Sequence, residues 1–300
     1  MQRIAFLFCF LISLHLPLQV KADNEEISAL TQEITHHFIS VLKLMKTQGS
    51  QITTYCEDCA HRMKPRHVFQ RAMDIDHHLT TFLEMHGFQA EYTQEIAIKD
   101  YQLEDIVELL YNIENKIEAV TTAVGLQINH SGLKFNPAIR RNLFNLLDRI
   151  EIFLLNMGSP SVKPYVVYQK AVMIRQFVEG LCRDNLCDQV EETKIEMLAP
   201  KLPLEAYREA NKFIVSLKKY MDKNQLKIEG GVTAPKIVPE MITPRIVNRT
   251  CSVILADLIA LHHHLNGDSV ITRPVTDKNI SPKHVWHQLN YARRVLEALT

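Results

Sequence analysis

The chain has 300 residues with 34 basic and 34 acidic side chains, so it carries no net field that would draw in nucleic acid or an anionic membrane. Only 9 glycines are present, which disfavours a turn-rich all-β chain and suits long helices. The length is enough for one large domain or two ordinary ones, each with a true core.

Residues 1–22, MQRIAFLFCFLISLHLPLQVKA, read as a secretory signal peptide. Arg3 supplies the positive start, Ile4 to Leu16 the apolar stretch, and Val20 and Ala22 the positions flanking a cleavage point. That stretch is shorter than the roughly 20 residues of a membrane span. The mature chain then begins near Asp23. Loss of Arg3 and Lys21 leaves 32 basic against 34 acidic residues, a formal charge of −2. No later segment is apolar enough to cross a bilayer. The expectation is an exported protein, periplasmic or secreted.

Apolar residues then recur every three or four positions almost throughout. Ile27, Leu30, Ile34, Phe38, Val41 and Met45 form one such stripe, and Ile106, Leu110, Ile113, Ile117, Val120 and Val124 another. This is the spacing of amphipathic helices that bury one face. It predicts eight helices, over 24–48, 65–86, 101–124, 137–157, 164–182, 203–223, 244–265 and 282–299.

Four of these begin alike, at Pro65, Pro164, Pro203 and Pro282. An aromatic follows four residues later: Phe69, Tyr168, Tyr207 and Trp286. A small or apolar residue follows at seven (Ala72, Ala171, Ala210, Leu289) and an apolar one at fourteen (Leu79, Val178, Leu217, Leu296). Pro244 opens a looser copy. Proline suits the first helical position because that N–H has no partner in the helix. The pattern is that of a duplicated helical unit, with copies too irregularly spaced for a tight solenoid.

Glycines near helix ends, among them Gly87, Gly158 and Gly267, suggest antiparallel helix pairs. The expected fold is all-α, with about eight helices as antiparallel hairpins packed as two four-helix bundles. The bundles would divide near Ser159-Pro160-Ser161, giving domains at 23–158 and 159–300. The irregular stretch 228–244 reads as a hinge or a strap across the bundle.

Five cysteines remain after cleavage. Cys56 and Cys59 form a C-x-x-C pair, but haem attachment would need histidine where Ala60 stands. A thioredoxin-like pair would sit at a helix N-terminus, whereas the helix here begins at Pro65, and Glu57 and Asp58 oppose a thiolate. As a zinc site the pair is only half a ligand set. Loop-stapling disulfides, Cys56–Cys59 and Cys182–Cys187, are the expectation for an oxidising compartment. Cys251 lies on the apolar stripe of its helix and reads as a buried hydrophobe.

Histidine is abundant, at 14. If the first two predicted helices form an antiparallel hairpin, Glu33 and His37 come level with Asp74 and His78, a set that could hold a transition metal. Ordinary flanking ion pairs explain the same residues. His262, His263 and His264 end one helix and His284 and His287 start the next, which suggests a second surface metal site. Asn129-His130-Ser131 and Asn248-Arg249-Thr250 fit the glycosylation pattern. No nucleophile elbow, phosphate loop, dinucleotide fingerprint or H-E-x-x-H is present. The sequence therefore points to a non-enzymatic binding or interaction module of the cell envelope, whose partner is a protein or a small ligand. A metal-binding bundle is the alternative.

Overall fold

The computed structural model describes residues 63–89, 95–123, 143–156, 158–182, 187–234, 242–276 and 279–300. The leader, the helix expected at 24–48, Glu33, His37, Cys56, Cys59 and the glycosylation pattern at Asn129 lie outside the described residues. Those described form seven helices and one two-stranded sheet. In chain order these are α1 (Pro65–Met85), β1 (Glu95–Ile98), α2 (Leu103–Ala123), α3 (Leu143–Asn156), α4 (Pro164–Glu179), α5 (Pro203–Lys223), α6 (Pro244–Asn266), β2 (Ser269–Thr272) and α7 (Pro282–Ala298). Among the described residues no helix is long and apolar enough to cross a membrane.

Proline occupies the first turn of α1, α4, α5, α6 and α7. The residue seven positions on is fully enclosed in each: Ala72, Ala171, Ala210, Cys251 and Leu289. So is the residue ten on (Ile75, Ile174, Phe213, Ile254, Ala292), and so is the residue fourteen on (Leu79, Val178, Leu217, Leu258, Leu296). Cys251 thus stands where alanine stands in three other helices, and it behaves as the buried hydrophobe its stripe position implies. Burial pushes its thiol up to about 12.

The helix directions follow from which residues meet. Glu209 of α5 bonds Asn290 and Arg293 of α7, and further along Ser216 bonds Glu297 at 2.8 Å. Both numbers rise together, so the two helices run parallel. In the same way Tyr168 and Arg175 of α4 meet His284 and Tyr291 of α7. Lys170 and Phe177 of α4 meet Ser252 and His262 of α6. All four helices point one way. Their first turns converge on one small apolar dimple lined by Pro164, Pro203, Pro244 and Pro282 and the residue three on from each.

This corrects the antiparallel pairing expected for these helices. The connections are long because each carries the chain back along the bundle before the next helix starts. The correction also dissolves the second histidine cluster. His262, His263 and His264 sit at the C-terminal end of α6, whereas His284 and His287 sit in the first half of α7. Parallel packing puts these groups toward opposite ends of a bundle about 25 Å long. His262 donates to Phe177 O at 2.6 Å and His287 to Thr193 O at 2.7 Å.

Like-directed helices align their dipoles unfavourably, an effect concentrated at the partial charges of the termini. Each fully buried aliphatic side chain contributes about 1.5–3 kcal/mol in the other direction. Four stripes of several such residues outweigh the dipole term easily. Helix α1 relieves it further, because it runs against α6: Arg66 meets Asp257 and Asp74 meets Ser252. Helix α3 also opposes α6, with Asp148 on Arg249 and Glu151 on Arg245. α1 and α2 run parallel, since Phe69 stacks on Tyr101 at the start and Asp76 pairs with Lys116 further along.

The return segments carry the remaining structure. β1, between α1 and α2, pairs antiparallel with β2, between α6 and α7, with Glu95 opposite Thr272 and Ile98 opposite Ser269. Gly267 ends α6 at φ 75°, a left-handed conformation that glycine reaches without a Cβ clash. Residues 229–233 form part of the expected strap. Arg66 donates to Glu229 O and Gly231 O, and Asp257 accepts from Thr233 N–H at 2.7 Å. Two apolar clusters result. One joins α1, α2 and α3; the other joins α4 to α7 with β1 and with Met73 and Tyr101.

Parallel packing predicts that cysteines introduced together at Lys201 and Lys283, near the start of α5 and α7, join through a short thiol cross-linker. Cysteines at Lys201 and Ala298 should not join. Peptide mapping of the cross-linked protein checks this, and the reverse pattern would contradict the parallel arrangement.

Candidate ligand cleft

The second half of α1 lies against the start of α4, and the segment 158–163 bridges from α3. A cleft of about 360 Å³ opens there, lined by residues of α1, α3, that segment, α4 and α6. Its floor is set by buried charge. Arg71 of α1 is 1% exposed and lies 2.7 Å from Asp148 and 2.6 Å from Glu151, both on α3. Asp148 also pairs with Arg249 at 2.5 Å, and Glu151 with Arg245 at 3.2 Å.

A charge removed from water costs several kcal/mol unless close partners replace the solvent. Here each guanidinium has a carboxylate and each carboxylate has two guanidinia. Burial alone would lower the Arg71 guanidinium, but Glu151 and Asp148 outweigh it and hold it above its ordinary value. Burial alone would raise the Glu151 carboxyl, but Arg71 and Arg245 outweigh it and hold it at about 2.

Beside this group, Lys170 of α4 bonds both Asp74 of α1 and Ser252 of α6, the latter at 2.5 Å, and Ser252 Oγ donates to Asp74 at 2.6 Å. Burial draws the Lys170 amine below its ordinary value, with Asp74 opposing. A serine beside a lysine of lowered basicity suggests a nucleophile. The geometry does not. Ser252 is 3% exposed, its proton is committed to Asp74 and Asn248 O, and it does not line the cleft. The trio ties three helices together.

Of the four residues expected to hold a metal, Asp74 and His78 are described and both line the cleft. Asp74 has its two oxygens on Lys170 and Ser252. His78 donates from Nε2 to Pro160 O at 2.7 Å, and its Nδ1 faces Glu151 Oε1 at 3.9 Å. Among the described residues no three His, Cys, Asp or Glu side chains gather closely enough to hold a metal ion. Asn248 is 2% exposed in α6, so its side chain is enclosed in the folded protein. Cys182 and Cys187 stand at disulfide distance, with Cα atoms 5.9 Å apart, past the end of α4 and away from this cleft.

Spacing does not single out Glu151 or Arg71, and it marks Asn248 only as a glycosylation pattern. A signal for them exists: Asp148 and Glu151 interrupt the otherwise apolar LFNLLDRIEIFLLN, and Arg71 adjoins the buried Ala72. Charges on a stripe that must be buried imply partners on the facing helix.

No protein family, no curated protein and no solved structure matches this chain.

The cleft's titrating groups predict how stability responds to acid. Burial, with Arg273 and Lys170 adding to it, lowers His77 from 6.5 to about 3. As the pH falls, the unfolded chain therefore takes up this proton before the folded one does. His77's contribution is intact above about pH 6.5 and is lost progressively toward 3. Glu151's contribution is intact above about pH 4.5 and is lost toward 2. Thermal melts should show stability falling from pH 6.5 and falling faster below 4.5. His77→Gln should flatten the upper limb and leave the lower one.

Proposed function

We propose that the protein is an exported, non-enzymatic binding module that holds a small ligand in the cleft between α1, α3, α4 and α6. The observation that carries this reading is the cleft itself. At about 360 Å³ it falls within the range of small-molecule sites, and its apolar walls close over a few convergent polar groups. The rigid charge cluster behind it keeps the site formed without a ligand. The serine–lysine contact at Ser252 and Lys170 does not line it.

The five proline-led helices are read here as copies of one ancestral unit, with the cleft arising where α1 meets the four like-directed copies α4 to α7. The expected domains, 23–158 and 159–300, would then meet at the cleft, since Pro160 and Ser161, just past that boundary, line it.

A thermal-stability screen of soluble metabolites tests the reading. A ligand present at 100 times its Kd should stabilise the fold by about 2.7 kcal/mol. Val162→Trp, which fills the cleft, should abolish that shift. A stabilising ligand whose effect survives Val162→Trp would place binding elsewhere. The alternative is a metal held by Glu33, His37, Asp74 and His78. It requires metal to co-purify in the absence of chelator and to be lost in His78→Ala.

A further inference from the structure

Two residues lining the cleft, Asn248 and His78, present buried acceptor atoms without a partner. Asn248 is 2% exposed, and its Oδ1 has no hydrogen-bond partner. His78 is 7% exposed, and its Nδ1 has none either. The His78 tautomer is set by its surroundings. Nε2 lies 2.7 Å from the Pro160 carbonyl, which only accepts, so Nε2 carries the hydrogen and Nδ1 of the neutral ring presents a lone pair. Glu151 adds a third acceptor: Arg71 and Arg245 occupy its Oε2, leaving Oε1 beside His78. A buried acceptor without a donor costs about 1–3 kcal/mol, so this wall is built at a loss unless something supplies hydrogens.

Two constraints narrow what that is. The charged groups behind the wall are Arg71, Arg245, Arg249 and Lys170 against Asp74, Asp148 and Glu151. This is one positive charge in excess, and Arg273 near His77 and Lys170 adds to it, so a cationic ligand or a metal ion would enter an already positive surround. An anion would meet the Asn248 oxygen, the His78 lone pair and the Glu151 carboxylate. Neutral donors fit both constraints. At the mouth the polarity changes: Ser161, Lys163 and Tyr165 present donors. A ligand spanning floor and mouth therefore both donates and accepts, as hydroxyl groups do. Met85, Val162 and Val166 supply apolar wall for a C–H face.

We propose that the cleft binds a neutral polyhydroxylated ring of monosaccharide size, with its hydroxyls donating to Asn248 Oδ1, His78 Nδ1 and Glu151 Oε1. This rests on the small-ligand reading above and names the class of ligand.

Calorimetric titration of the full chain with glucose, galactose and N-acetylglucosamine tests it, alongside glucosamine and glucuronate as cationic and anionic analogues of the same ring, and zinc chloride. At least one neutral sugar should bind, at least tenfold more tightly than either charged analogue. Asn248→Leu, which keeps the branching at Cγ and removes the acceptor, should weaken that sugar at least tenfold while leaving the unliganded melting temperature unchanged or higher. A structural asparagine would instead lower it. Tighter binding of glucosamine, glucuronate or zinc, lost in Val162→Trp, would overturn the neutral-polyol proposal and leave the small-ligand reading standing. No binding by any of these sugars overturns the proposal. If the metabolite screen also shows no cleft-dependent shift, the small-ligand reading falls with it.

Discussion

Arg71 is enclosed where α1, α3 and α6 meet, and the way its charge is compensated decides how those helices sit. A guanidinium fixes the direction and distance of its carboxylates far more tightly than aliphatic contact fixes neighbouring stripes. Asp148 and Glu151 are one turn apart on α3, so both reach the same arginine. Arg245 and Arg249 are one turn apart on α6; Arg249 takes the other oxygen of Asp148, and Arg245 shares Glu151 Oε2 with Arg71. Three helices are thereby locked in rotation and in register. The cleft opens next to that lock, and its polar wall is the lock's outer edge. Buried ion pairs contribute little net stability beside a well-packed apolar core, so their role here is to specify one arrangement.

The four like-directed helices follow a different logic. Their stripes repeat the same positions, and each buries them toward one axis. With identical stripes, any helix of the set fits beside any other. Connections that return along the bundle then make a parallel array, with β1 and β2 as the extended part of two such returns. The small residues Ala171, Ala210 and Cys251 form the layer seven positions in and allow close approach there. Charge enters this group at its borders, through Lys170, Arg249 and Asp257 toward α1 and α3, through Arg175 beside Tyr291, and through the pairs between α5 and α7 around Glu209.

Much of this was legible in the residues. The proline starts and the three-and-four spacing place the described helices to within about three residues, except α3, expected from 137 and described from Leu143. Cys251 reads correctly as a stripe residue. Helix direction was not legible from the stripes, because a stripe has the same spacing whichever way its helix points. The usable signal was the length of the connections. Helix pairs in bundles are usually joined by about 2–8 residues, and the segments 180–202, 224–243 and 267–281 are long enough to travel back. SVIT and EIAI, short and β-prone, lie inside such segments. The site was legible in part: Asp74 and His78 do face one cleft, but their neighbours there are Glu151 and Asn248, reached only through tertiary packing.

The account depends on the buried Arg71 cluster setting how α1 and α3 dock on α6. Denaturant unfolding of Arg71→Met, which keeps the apolar stem and leaves Asp148 and Glu151 short of a partner, measures this directly. The expected loss is about 3–5 kcal/mol, the usual result of breaking a buried pair from one side. It should be accompanied by new titration of a carboxylate near neutral pH. A loss below about 1 kcal/mol with an unchanged acid profile would show that apolar contact alone sets the docking.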